Sequence, residues 1–176
     1  MNPQLLGAIM AIALGAVIAT GYQYLGSGQT ATAAAKSRQN TMLTTMVQLR
    51  DGITQYDMEQ GEYPADLDAL NTAHIISAVP KADEDILKDK SGSADYTLVT
   101  DAGKANKPVA LKVDGVSDAV CNSINGLPVD DTLDKTDEDG YKNLSADDID
   151  TYIGKPNINS WSCALIDDKA TAIYKL

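Results

Sequence analysis

The sequence predicts an α+β protein: a long N-terminal helix, hydrophobic in its first half and amphipathic in its second, packed on a small antiparallel sheet. Three observations predict it. Leu5 to Leu25 is an apolar run without a charge, and Met42, Met46, Leu49, Ile53 and Tyr56 then recur at spacings of 4, 3, 4 and 3. Beyond Tyr63, short alternations of apolar and polar side chains are bounded by turn-forming residues. The 176 residues suit one average domain, and 14 basic against 25 acidic side chains leave a net charge of −11. With no basic surplus to displace counterions, nucleic-acid binding is not expected. The first charged residue is Lys36, so the chain divides by chemistry into an uncharged hydrophobic helix (1–28), an amphipathic stalk helix (29–60) and an acidic α+β head (61–176).

As a helix, Leu5 to Leu25 covers roughly 30 Å, about the hydrocarbon thickness of a bilayer. A secretory signal peptide carries Lys or Arg before its apolar core, but only Met1, Asn2, Pro3 and Gln4 stand here. The expectation is that a leader has been removed. Ala8, Ala11, Gly15 and Ala19 fall three or four apart, on one helical face. Small residues so spaced let helix backbones pack closely, which a monomeric anchor does not need; the alternative is that Ala and Gly are simply common in membrane helices. Gly15 and Gly21 each lower helix propensity by about 1 kcal/mol relative to Ala.

After Gly26, Ser27 and Gly28 a second helical stretch begins, and its Met42–Tyr56 stripe predicts a face laid against a core. Its methionines are read as packing, not as metal ligands. The helix should stop near Gly61, because Tyr63 precedes Pro64 and a residue before proline is pushed out of the α region. In the head, Ala65 to Leu70 predict a short helix, and Tyr96–Thr100 and Val109–Val113 predict half-buried strands. Ser117 to Ile124 predict a helix turn, and Ser145 with Asp148 resembles a capping box opening a helix through Ile149 and Ile153. Cys163–Ile166 and Thr171–Tyr174 predict a hairpin turning through Asp167, Asp168 and Lys169.

Cys121 and Cys163 lie 42 positions apart. An even count in a domain carried across a membrane favours a disulfide, and two free buried thiols are the alternative. Zinc is disfavoured, since a structural site takes about four ligands and His74 is the only histidine. Pro128 to Thr151 holds nine acidic residues against Lys135 and Lys142, a net of −7. Within it Asp137, Asp139 and Gly140 have the spacing of the middle of a calcium loop, although Lys135 and Ala146 break the EF-hand register. A structural calcium on Asp137 and Asp139 is one reading and a solvated acidic loop the other; no other cofactor is expected. No enzyme is expected either, because there is no Gly-x-Ser-x-Gly elbow and no glycine-rich phosphate loop followed by Lys. His74 is read as an exposed or capping residue.

Together the small-residue apolar helix, the amphipathic continuation and the tract Gly61-Glu62-Tyr63-Pro64-Ala65-Asp66-Leu67-Asp68-Ala69-Leu70 resemble the type IV pilins and the pseudopilins of type II secretion. Cys121 on a helix turn and Cys163 at a C-terminal strand resemble the disulfide bounding the D-region of these pilins, closer to the type IVb arrangement. The resemblance implies a fimbrial subunit whose leader is cut by a prepilin peptidase, with Met1 as a methylated mature N-terminus. It further implies residence in the inner membrane, then polymerisation by the pilus machinery into an extracellular homopolymer whose core is bundled N-terminal helices. One position departs from the family. Leu5 stands where these proteins usually carry Glu, and no carboxylate precedes Asp51. Subunits at filament tips can lack that Glu, so a minor pilin or secretion pseudopilin is an alternative, and a non-polymerising, membrane-anchored periplasmic binding domain is another.

Overall fold

A computed structural model describes residues 27–89, 92–101, 107–129, 149–153 and 160–176. In chain order the elements are α1 (Ser27–Gln60), α2 (Leu67–Thr72), β1 (Thr97–Asp101), β2 (Lys107–Asp114), α3 (Asp118–Asn125), α4 (Ile149–Ile153), β3 (Trp161–Ile166) and β4 (Lys169–Lys175). The strands form one antiparallel sheet in the order β1-β2-β4-β3. The long helix lying on a small antiparallel sheet is the α+β arrangement that the hydrophobic periodicities predict.

Helix α1 runs for 34 residues, about 50 Å at 1.5 Å per residue. Its Met42, Met46, Leu49 and Ile53 are buried and Tyr56 packs beside them, so the 4-3-4-3 stripe is the face that meets the core. On the exposed side Thr41, Thr44 and Thr54 donate their hydroxyls to the carbonyls of Ser37, Asn40 and Arg50, which satisfies those side chains locally. The helix ends where expected: Gly61 takes φ 73°, the left-handed conformation that glycine adopts without steric cost, and its N–H closes on the Asp57 carbonyl at 2.9 Å.

Helix α2 starts later than Ala65. Asp66 is its N-cap, extended at φ −154° and accepting from the Ala69 N–H at 2.9 Å, so Ala65 stays outside the helix. Leu67 and Leu70 are the residues it buries. The expected strands are present: β1 is shifted by one residue, leaving Tyr96 outside it and adding Asp101, while β2, β3 and β4 are longer than expected by two or three residues, and β1 carries a bulge between Val99 and Thr100. Ser117 precedes α3 instead of opening it. The last hairpin turns on Asp167 and Asp168 alone, with φ 48° and 64°, and Lys169 already pairs with Ile166. Two successive left-handed residues match the right-handed twist of the flanking strands, which a longer turn through Lys169 would not.

The core has two sides. Toward α1 and α3 the sheet turns Leu111, Val113, Cys163, Leu165, Ala170 and Ala172. On its other face Ala110, Ala164, Ile166 and Ile173 pack with Ile149, Tyr152 and Ile153 of α4. The strands β3 and β4 are therefore buried on both faces over Ser162–Ile166 and Ala170–Ile173, which explains why their side chains do not alternate in polarity.

Candidate assembly surface

Several sequence-predicted sites lie outside the described residues: Met1, the stripe Ala8, Ala11, Gly15 and Ala19, the apolar run Leu5–Leu25, the pair Asp137 and Asp139, and the capping box Ser145–Asp148. The described part contains the helix that continues from the apolar run. Along α1, Thr30, Ala31 and Ala33 are exposed, Ala35 is the first buried side chain, and the deep stripe begins at Met42. The helix is thus uncharged before Lys36, and from Ala35 onward it is bound into the head, where Gln39 also accepts from the Ser123 hydroxyl at 2.7 Å.

On the solvent side of α1, Ser37, Thr41, Thr44 and Gln48 follow one another at spacings of 4, 3 and 4 and are all exposed. None is charged, in a chain whose net charge is −11. At its upper end Ser37 and Thr41 border a second hollow shared with Arg38, Asp83 and Asp85, so the uncharged row is flanked by charge. Beside its lower end, Leu49, Gly52, Gln55, Ile75, Ile76 and Pro80 line a groove of about 480 Å³ between α1 and the segment after α2. Arg50 lies close by, half-buried. Its guanidinium meets Asp51 at 2.6 Å and donates to the Tyr174 hydroxyl at 3.1 Å, and these contacts raise its pKa, the Asp51 hydrogen bond first.

The head is locked by a disulfide. Cys121 of α3 and Cys163 of β3 are fully buried and bonded, with Cα atoms 5.3 Å apart, so the free-thiol alternative falls away. Next to this bond is a residue that sequence reasoning missed: the Asn125 side chain donates to the Cys163 carbonyl at 2.8 Å and accepts from its N–H at 2.9 Å. The only signal for it in the sequence is its position four residues after Cys121, which puts both on one face of α3. Elsewhere Thr171 is buried and donates to Asp114 at 2.9 Å, while the Lys112 ammonium reaches the same carboxylate at 2.7 Å. Burial raises the Tyr96 phenol, opposed by the Thr45 hydroxyl and aided by Asp83; burial likewise raises Tyr152, opposed by the Ser162 hydroxyl.

The chain matches no family model, no curated protein and no solved structure. Its chemistry is therefore read from its own side chains. His74 is exposed and takes φ 59° just after α2, where its N–H closes on the Asn71 carbonyl at 3.0 Å. That is a turn-forming role. Among the described residues, no three His, Cys, Asp or Glu side chains group as a metal site, and no helix is long and apolar enough to cross a membrane. What the described surface offers is an uncharged row on the long helix, a groove of mixed polarity beside it and a covalently braced head.

Proposed function

We propose that the chain is a structural subunit of a type IV pilus-like extracellular filament, assembled through its hydrophobic N-terminal helix with the acidic head outward. The observation that carries this reading is α1 itself. It is one 34-residue helix that follows an uncharged, small-residue segment in sequence; Thr30, Ala31 and Ala33 near its start are exposed, and its buried contacts with the head run from Ala35 onward. The mechanism is physical: residues Leu5 to Leu25 exchange lipid for neighbouring copies, with Ala8, Ala11, Gly15 and Ala19 allowing close helix contact. Its partners are identical subunits, the inner membrane before assembly, a prepilin peptidase and the assembly machinery. Leu5, in place of the usual Glu, favours as second reading a minor pilin or pseudopilin.

The test is electron microscopy of the purified full chain, with the mass of its N-terminal peptide. Filaments and one extra methyl on Met1 support the proposal. Monodisperse particles with an unmodified Met1 return the chain to the anchored binding-domain reading. In the same assay Gly15→Leu should abolish filaments and leave the head folded, and normal filaments from that variant would overturn the helix-packing mechanism.

A further inference from the structure

We propose that Asn125 is a positioning residue for the Cys121–Cys163 bond: its side chain holds Cys163 opposite Cys121 in the reduced protein and thereby drives oxidation of the pair. The inference is independent of filament assembly. β3 is an edge strand, since the sheet order ends β4-β3, and Cys163 turns its backbone N–H and C=O away from β4. The Asn125 amide answers both at once, donating at 2.8 Å and accepting at 2.9 Å, as the backbone of another strand would. A carboxamide presents its donor and its acceptor side by side on one planar group, as a peptide strand edge does.

The clamp is itself held still. Asn125 is the last residue of α3, and the helix closes directly behind it: Gly126 takes φ 74°, and the Leu127 N–H bonds the Asn122 carbonyl at 2.8 Å. Cys121 lies one turn earlier on the same face, with its N–H on the Ser117 carbonyl at 2.9 Å. Both cysteines are thus placed by hydrogen bonds in which neither sulfur takes part. By linkage, whatever favours the juxtaposed state of the dithiol raises the effective concentration of one thiol at the other.

The reaction is exchange with a disulfide oxidant, glutathione disulfide in the assay. The Cys121 and Cys163 thiols lose two protons and two electrons and form one S–S bond; the oxidant's S–S bond breaks and leaves as two thiols. The full-length chain in detergent micelles is equilibrated with mixtures of reduced and oxidised glutathione, and its free thiols are counted by alkylation. Asn125→Ala should lower the equilibrium constant for disulfide formation about tenfold, a potential shift of about 30 mV. A residue that merely packs would destabilise oxidised and reduced protein alike and leave that constant unchanged, and an unchanged constant overturns the proposal. Wild-type protein supplies a second reading without any substitution. After reduction, the Cys163 amide should still exchange slowly with deuterium, and exchange at the rate of an unstructured amide would equally overturn it.

Discussion

Individual side chains show where the fold has slack and where it has none. Gly52 lies inside α1, two turns before its end, yet a Cβ added there would meet Leu70 Cδ1 at 3.5 Å and Ile75 Cγ2 at 3.6 Å, ordinary contact distances. Gly52→Ala should therefore gain helix propensity without a clash and raise stability by about 0.5–1 kcal/mol, read as a higher denaturant midpoint. Tyr96 and Tyr152 work the other way. Burial raises both phenols above their ordinary value of 10.0, so the folded state keeps protons that the unfolded chain begins to release near pH 10. Their contribution is complete below that pH and is lost as pH rises through the folded values. Melting temperature should fall steeply above about pH 10, and more gently in Tyr152→Phe. At this scale the Met42–Tyr56 stripe was legible because its period is local, whereas Asn125 was not. Its partner is 38 positions away in sequence, and only the fold brings the two together.

Among the elements, α1 matters most, because its buried stripe forms one wall of the main core with the sheet and α3. Met46 is fully buried. Met46→Ala should cost about 2–5 kcal/mol in a urea titration, while Thr44→Ala on the exposed side should stay within about 0.5 kcal/mol. The contrast tests which side of the rod belongs to the head. Helix ends and hairpins were legible from turn chemistry: Gly61 with Pro64 marked one stop, and the Asp167–Asp168 pair marked the reversal between β3 and β4. The place of α4 was not legible. Ile149 and Ile153 announced a short helix, but five residues carry no signal for which face of a sheet they will cover. That depends on strands Trp161–Ile166 and Lys169–Lys175, whose nearly continuous apolar runs already imply cover on both sides.

At the scale of the whole molecule, charge separates the first 35 residues from the rest: nothing before Lys36 is charged, and all of the acidic excess lies beyond it. That division was legible at once, and the proposed assembly, with its neutral core inside an acidic shell, rests on it. The stripe Ala8, Ala11, Gly15 and Ala19 was legible only as a pattern of small residues, because the neighbours proposed for it would be other copies of the chain. The sheet order β1-β2-β4-β3 has a further consequence, for the timing of folding. Strand β4 stands between β2 and β3, although it comes after both in the chain. A polypeptide delivered N-terminus first, from a ribosome or through a translocation pore, has β1, β2 and β3 in hand while the strand that must join them is still inside. The sheet can close only when residues 169–175 arrive, so the head matures late and in one cooperative step, by pairings that are distant in sequence.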